Sequence, residues 1–466
     1  MSTIGRLMKE EMNIMLAQKS FPKGFVWGTA TSSYQIEGAI EKDGRSESIW
    51  DTFCRVPGKV VNGDNGDIAC DHYHKIEEDV KLLADLGIKH YRFSVAWPRI
   101  FPQKSVVNQA GLDFYKRLLA ELKKYDIKPA LTIYHWDLPQ WIQDEGGWVN
   151  RNIVDYYMEY ATTLFNEFGN EVPMWFTHNE PWCAAFLGYG EGVHAPGHQN
   201  WREAIIASHH IFLSHGLAVQ KYKDMNLPGD IGIVLNLQPA YPATNSEEDI
   251  AATKRQDGYS NRWFLDPIFY GKYPTDMLEW FKNEVGEYDF IKENDLATIN
   301  NPGDFLAVNF YSRSVVAAGE ENQLLKLNHI PQEGEHTDMG WEVHPESLYV
   351  LLKRLQSEYT ELPIYIAENG AAMKDELVAG VVDDKDRIAY VQSHLEACHR
   401  FIEEGGNLKG YYLWSFMDNF EWAFGYEKRF GMVYVDYKTQ QRIPKESAKW
   451  FTNVMKENAI VQPVLR

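Results

Sequence analysis

Short apolar runs recur along the chain, and within each run the apolar residues are continuous rather than alternating with polar ones. Such runs are typical of strands that are covered on both faces, as in a parallel sheet. They predict eight strands, at residues 25–30, 90–94, 128–134, 174–178, 231–237, 304–310, 364–368 and 409–415. Amphipathic stretches with helical periodicity lie between most of them, at residues 74–86, 112–125, 153–168, 204–222 and 386–402.

This alternation predicts an α/β fold, a single (β/α)8 TIM barrel with long βα loops. A doubly wound sheet is the alternative. It normally carries a glycine-rich phosphate turn after its first strand, and none follows residue 30. No linker rich in proline, glycine or serine divides the chain. We therefore expect one domain over residues 21–466, preceded by an N-terminal extension of residues 1–20.

The ends of the predicted strands carry the chemically interesting side chains. Active-site residues of a barrel lie at the C-terminal ends of its strands. Six of the predicted strands end at or near such side chains, namely Arg92, His135, Asn179 with Glu180, Asn309 with Tyr311, Glu368, and Trp414. The periodicity of the chain and its chemistry thus indicate the same face of the barrel.

Glu180 and Glu368 each follow a buried run, where a carboxylate is either paired or functional. An ion pair closing the barrel mouth is one interpretation. Glycoside hydrolysis is the other, because it needs one carboxylic acid to protonate the leaving oxygen and one carboxylate to attack or to activate water. Arg92 and Tyr311 would hold Glu368 ionised, and the charge of Glu368 would raise the pKa of Glu180, the acid. The distance between the two groups decides between retention and inversion.

Composition and charge limit the partners. The 466 residues carry 66 Asp and Glu against 46 Lys and Arg, a net charge of −20. Nucleic acid and anionic membranes require clustered cations, so we expect neither as a partner. No apolar run is long enough to cross a bilayer. Glu10 and Glu11 interrupt the N-terminal segment, which lacks a signal-peptide pattern. We predict a cytoplasmic protein, and a homo-oligomer is compatible with the sequence.

The cysteines and histidines form no recognised metal or redox motif. The four cysteines are scattered without a CxxC pair, which argues against a disulfide framework or a structural zinc site. Cys183 lies three residues after Glu180, but it has no dedicated base and is expected to be a buried or pocket-lining thiol. No complete zinc spacing includes the neighbouring histidines His72, His74, His209 and His210. We predict no metal and no cofactor.

Long motifs in a fixed order give a resemblance that spans nearly the whole chain. FPKGFVWGTATSSYQIEGA starts at Phe21 and is followed by YHWDLPQ, FTHNEPW, NFYS, YIAENG and WSFMDNFEWAFGYEKRFGMVYVD. The chain resembles the family-1 glycoside hydrolases of the β-glucosidase type. This resemblance implies a single barrel, a retaining mechanism, no cofactor and a cis peptide at Trp414–Ser415.

The resemblance also implies roles for individual residues. Glu180 would be the acid/base and Glu368 the nucleophile, with Tyr311 hydrogen-bonded to the nucleophile. Trp414 would form the floor of the site and Trp341 would line the aglycone side. The first sugar would be bound by Gln35, His135, Asn179, Glu421 and Trp422.

Two branches of the family differ from the other members at positions of the site, and this chain shares neither difference. Plant relatives that cleave thioglucosides have Gln at the position of Glu180, so the Glu favours O-glycosides. The 6-phospho-glycosidases have Ser at the position of Glu421, together with a phosphate-binding set that residues 423–430 lack. We expect small β-glucosides as substrates, namely cellobiose, cello-oligosaccharides and aryl β-glucosides, with β-galactosides and β-fucosides as side substrates. A 6-phospho-β-glycosidase and a catalytically silent sugar-binding protein are the alternatives.

Overall fold

A computed structural model describes residues 19–462, and its centre is a closed barrel of eight parallel strands. In chain order the strands are β1 (Val26–Ala30), β2 (His90–Ser94), β3 (Lys128–Tyr134), β4 (Met174–Asn179), β5 (Asp230–Asn236), β6 (Phe305–Asn309), β7 (Ile364–Asn369) and β8 (Leu408–Trp414). Each strand pairs with the next, and β8 pairs with β1 to close the ring. The prediction of a (β/α)8 barrel is confirmed.

Helices cover the outside of this ring, and their apolar faces follow from sequence spacing. In the helix Ile153–Phe168, buried positions such as Tyr157, Tyr160 and Leu164 recur every three or four residues, which is one face of a helix. The α-helices of six residues or more are Ile49–Cys54, Ile76–Asp85, Gln109–Lys124, Ile153–Phe168, Trp201–Asp224, Glu247–Asp257, Trp263–Tyr270, Thr275–Val285, Pro345–Arg354, Lys385–Glu403 and Glu446–Glu457.

Shorter elements occupy the connections. Single-turn helices are Ser33–Ile36, Trp97–Ile100, Gln140–Asp144 and Asp295–Ile299, and the 3-10 turns are Val61–Gly63, His72–His74, Gly147–Val149 and Trp422–Phe424. Helices with π-type hydrogen bonds are Cys183–Glu191, Gly258–Arg262 and Leu355–Tyr359. Three small sheets complete the fold, formed by Lys19–Ser20 with Ala459–Ile460, by Ala240–Pro242 with Ser314–Asn322 and Leu327–His329, and by Val433–Asp436 with Gln441–Pro444.

All eight predicted strands are present, with ends displaced by at most one residue. The five predicted helices are present too, and the longest shift is three residues, at the starts of Gln109–Lys124 and Trp201–Asp224. Most of the predicted N-terminal extension lies outside the described residues. Its last two residues, Lys19 and Ser20, pair with the strand Ala459–Ile460.

The barrel interior is packed with side chains that also shape the floor of its open end. Small and aromatic residues from several strands share this inner core, among them Ala30, Phe176 and Tyr412. Arg92 of β2 lies among them with its guanidinium carbon 5.0 Å from the centre of the Phe176 ring. A buried charge at this position requires anionic or polar partners, and these come from the strand ends.

Candidate active site

A cavity of about 520 Å³ opens at the C-terminal ends of the strands. Nine of the twelve sequence-predicted site residues line it: His135, Glu180, Asn309, Tyr311, Trp341, Glu368, Trp414, Glu421 and Trp422. The βα loops thus bring together side chains that lie nearly 290 residues apart in the chain. The other three, Gln35, Asn179 and Arg92, lie fully buried behind this lining and hydrogen-bond to its members.

Glu368 is the penultimate residue of β7 and is held by one cation and one phenol. Arg92 Nη1 donates to Glu368 Oε1 at 2.6 Å, and the Tyr311 hydroxyl donates to Oε2 at 2.6 Å. Burial raises the pKa of this carboxyl, and Arg92 and Tyr311 oppose that rise. Both oxygens therefore accept a hydrogen bond that favours the carboxylate.

Glu180 follows β4 directly and has no cation in hydrogen-bond contact. Its backbone φ of +49° turns the chain out of the strand, a left-handed conformation that costs a residue other than glycine about 1–2 kcal/mol. Asn309 Nδ2 donates to Oε1 at 2.6 Å, and the Cys183 thiol donates to Oε2 at 3.0 Å. Burial, with the negative charge of Glu368, raises the pKa of Glu180 to about 7.

Asn179 connects the surroundings of the two carboxyl groups. Its Oδ1 accepts from Arg92 Nη2 at 2.7 Å and from Asn309 Nδ2 at 3.1 Å, so its Nδ2 is left to donate to His135 Nε2 at 3.1 Å. That bond places the His135 proton on Nδ1, which has no partner among the described residues. Burial and the charge of Arg92 lower the pKa of His135 well below its usual value. A neutral histidine therefore lines the cavity, and its N–H group is buried without a protein partner among the described residues.

Glu421 adds a third carboxyl group to the cavity. Gln35 Nε2 donates to Asn419 Oδ1 at 3.0 Å and to the Phe420 carbonyl at 2.9 Å, and it lies 3.4 Å from Glu421 Oε2. Ser32 donates to the other end of the Gln35 amide at 2.6 Å. Burial and the charges of the two catalytic candidates raise the pKa of Glu421 to about 8.

Aromatic rings form the remaining wall. Trp414 and Trp422 both stack near His135, each with its ring centre 6.0 Å from the imidazole and within 20° of parallel. Trp422 also packs against Trp136 at 4.6 Å. The cis peptide that the resemblance implied at Trp414–Ser415 is present. Apolar planes beside polar groups suit a sugar ring, which has C–H faces and hydroxyl edges.

Several lining residues were not predicted from the sequence. They include Trp182, His194, Asn236, Gln238 and Phe424. Asn236 ends β5, so the rule of strand ends could have identified it, although its run 231–237 was recognised only as a strand. The others come from loops, whose course no short periodicity predicts.

The prediction that Cys183 is a buried or pocket-lining thiol is consistent with its position at the cavity wall. Within residues 19–462, no group of three or more His, Cys, Asp or Glu residues could hold a metal ion. The four neighbouring histidines have structural partners instead: His72 bonds to Asp79, His74 to Asp71, His209 to Asp295 and His210 to the Trp148 carbonyl. In the same part of the chain, no helix is long and apolar enough to cross a membrane.

Comparison with known proteins agrees with this geometry and confirms the resemblance. The sequence profile of glycosyl hydrolase family 1 matches residues 17–460. Beta-glucosidase A of Acetivibrio thermocellus is 48% identical over 447 residues, which cover 95% of this chain and 100% of the relative. A bifunctional beta-D-glucosidase/beta-D-fucosidase of Bifidobacterium breve is 42% identical and covers 94% of this chain and 99% of its own. The solved GH1 beta-glucosidase of Exiguobacterium antarcticum B7 superposes with a TM-score of 0.93 at 53% identity, and the match covers 94% of this chain and 99% of that structure. The chain therefore belongs to family 1 of the glycosyl hydrolases.

Proposed function

We propose that this protein is a retaining β-glucosidase that removes terminal β-glucosyl residues from small β-glucosides. One observation carries the proposal. Glu180 and Glu368 line the same cavity in opposite electrostatic settings, since Glu368 contacts a guanidinium and Glu180 contacts only neutral donors. A pair of carboxyl groups whose environments push their pKa values apart is the arrangement that acid and nucleophile require.

In the first step Glu368 attacks the anomeric carbon. The bond to the leaving oxygen breaks and that oxygen takes the proton of Glu180, so the sugar becomes an ester of Glu368. In the second step Glu180, now a carboxylate, takes a proton from water, and the resulting hydroxide oxygen displaces Glu368. Tyr311 and Arg92 stabilise Glu368 whenever it carries its charge.

The family resemblance assigns binding of the first sugar to Gln35, His135, Asn179, Glu421 and Trp422, and the geometry supports most of this set. His135, Glu421 and Trp422 line the cavity, where Glu421 offers an acceptor, while Trp414 supplies an apolar floor. Gln35 and Asn179 lie behind the lining, and their side-chain amides hydrogen-bond to other protein groups. Their binding roles stay predictions.

A 6-phospho-β-glycosidase is less consistent with the cavity. Among the described residues that line the cavity, three are Glu and none is Lys or Arg. The nearest cations of the 423–430 segment are already paired, Lys428 with Asp338 and Arg429 with Asp418. A dianionic phosphate would therefore lie near the charged Glu368 and two further carboxyl groups, without a counter-ion of its own.

The outer part of the cavity favours apolar leaving groups. Val193 and Phe424 line the cavity and are 48% and 40% exposed, whereas most large apolar side chains of the described chain are buried. An aryl group would cover both side chains and remove their apolar surface from water. We therefore rank aryl β-glucosides above cellobiose, and β-fucosides as accepted side substrates, as the name of the Bifidobacterium relative indicates for that enzyme.

The first experiment compares initial rates on p-nitrophenyl β-glucoside and on its 6-phosphate. We expect turnover of the plain glucoside, loss of turnover in Glu368→Ala, and β-glucose as the first product by NMR. Preference for the phosphate would assign the enzyme to the phospho-glycosidases. α-Glucose as the first product would refute retention, and no turnover of either substrate would favour a sugar-binding protein.

Location in the cytoplasm stays a prediction from the N-terminal sequence, which cell fractionation tests. A homo-oligomer also stays a prediction, which light scattering tests.

A further inference from the structure

One of the two hydrogen-bond partners of the Glu180 carboxyl group is a thiol. Cys183 begins the helix Cys183–Glu191, one turn after Glu180, and its Sγ lies 3.0 Å from Glu180 Oε2. The thiol is 6% exposed and lines the cavity. Asn309 Nδ2 occupies the other oxygen, Oε1, at 2.6 Å. The two carboxyl oxygens of Glu180 thus have different partners, an amide at Oε1 and a thiol at Oε2.

These partners differ in what they can do with a proton. An amide nitrogen only donates, so Asn309 keeps Oε1 an acceptor in every protonation state of Glu180. The acid proton must then reside on Oε2. A thiol can donate through S–H and can accept at sulfur, so it can bond to Oε2 whether that oxygen carries the proton or not.

We propose that Cys183 is a positioning residue that keeps the exchangeable proton of Glu180 on Oε2 and hydrogen-bonds that oxygen in both of its protonation states. The inference rests on the proposed function, in which Glu180 alternates between acid and base. Before the first step the thiol donates to Oε2, which leaves the proton on that oxygen free to point to the leaving oxygen. After the proton has passed to the leaving oxygen, the S–H group goes on donating to the new carboxylate.

The charges around both groups fit this role. Glu180 faces the negative Glu368 and the more distant positive Arg92, so its carboxylate form has little cationic support. Burial, and then the charge of Glu180, raises the pKa of the Cys183 thiol well above its ordinary value, with Glu368 and Glu191 acting in the same sense. The thiol therefore keeps its proton at every pH where the enzyme works, and it serves as a donor rather than as a nucleophile.

The test replaces the thiol by groups of similar size with and without hydrogen-bonding capacity. Cys183→Val removes the donor, so the pKa of Glu180 rises and the alkaline limb of kcat/KM moves to higher pH. In the second step the thiol holds Oε2 in the position from which it takes the proton of water, so loss of the thiol misplaces the base. We expect kcat for 2,4-dinitrophenyl β-glucoside, whose good leaving group needs no acid, to fall about three- to tenfold, as for loss of one hydrogen bond.

Cys183→Ser keeps a hydroxyl that donates and accepts, so its alkaline limb should return toward that of the wild type. Cys398→Val is the matched control, because Cys398 is a buried thiol of the helix Lys385–Glu403 and lies outside the cavity lining. Its pH profile should equal that of the wild type.

Two results would overturn the proposal. In the first, the Val variant shares the wild-type alkaline limb and the wild-type kcat. In the second, the Ser variant is displaced as far as the Val variant, which would assign the effect to shape alone. If Val does not fold, as judged by circular dichroism, Cys183→Ala provides the same comparison. Absence of wild-type turnover on any β-glucoside would instead refute the proposed function.

Discussion

The phenol of Tyr311 offers the sharpest test of how the nucleophile is prepared. Tyr311→Phe removes one hydroxyl and leaves the ring, which packs against Trp341 at 5.2 Å between ring centres. The lost bond is the 2.6 Å donation to Glu368 Oε2, and Arg92 remains on the other oxygen. The pKa of the phenol is raised well above its ordinary value by burial and the nearby Glu368, so the hydroxyl is a donor throughout the working pH range.

The expected size follows from the charge on the acceptor. A hydrogen bond to a charged group contributes about 1.5–3 kcal/mol. If the transition state uses the whole of it, kcat/KM falls about 10- to 150-fold. Loss of the donor also raises the pKa of Glu368. The nucleophile must be ionised, so the acidic limb of the pH profile should move up by about one to two units.

The assay is kcat/KM for p-nitrophenyl β-glucoside across the pH range. Tyr160→Phe is the control, because Tyr160 is buried and its hydroxyl bonds only to the Val95 and Ile133 carbonyls, each at 3.0 Å. That variant should lose stability and keep its pH profile. If Tyr311→Phe retained activity within twofold and kept the wild-type acidic limb, the phenol would not stabilise the charge of Glu368.

The remaining predictions concern pH and stability. Because the pKa of Glu180 is about 7 and the acid must be protonated, kcat/KM should fall as pH rises through that value, and Glu180→Gln should abolish the limb together with most activity on poor leaving groups. Lys445, which directly precedes the helix Glu446–Glu457, is wholly buried between two aspartates, so Lys445→Met should lower the free energy of unfolding by about 3–5 kcal/mol in urea. The exposed Lys449 lies within that helix, and Lys449→Met should cost less than about 1 kcal/mol. In Gly370→Ala the added Cβ would lie 1.7 Å from the Trp414 carbonyl oxygen, so we expect a lowered melting temperature and lost activity, and wild-type values for both would contradict the packing at that contact.

The sequence predicted the barrel strands and the outer helices more accurately than the loops. Largely apolar runs marked every barrel strand, because a strand that is covered on both faces does not alternate between buried apolar and exposed polar positions. The rule that function lies at strand ends then placed Glu180, Glu368 and Asn309 in one cavity before any contact was known. The three-stranded sheet that contains Ser314–Asn322 was not predicted. Apolar and polar residues do not alternate regularly along this strand, and no recognised turn motif borders it.

Contacts between side chains were the second limit. Nothing in the spacing of Cys183 distinguishes a helix-start thiol from one aimed at the acid, because the orientation depends on the left-handed turn at Glu180. The position of Gln35 behind the wall likewise depends on Asn419 and Phe420, which are nearly 400 residues away in the chain. Such long-range geometry leaves no local pattern.

The closure of the ring has a consequence for how the protein is made. Thr29 of β1 donates to the Leu413 carbonyl of β8 at 3.0 Å across 384 residues of chain. During synthesis, β1 therefore waits with an unpaired edge until almost the entire polypeptide has left the ribosome. Open strand edges are where chains pair with the wrong neighbour. Premature termination before β8 would thus leave an open sheet of seven barrel strands with unpaired edges rather than a smaller working enzyme. Folding yield should depend on chaperones that shield these edges during translation.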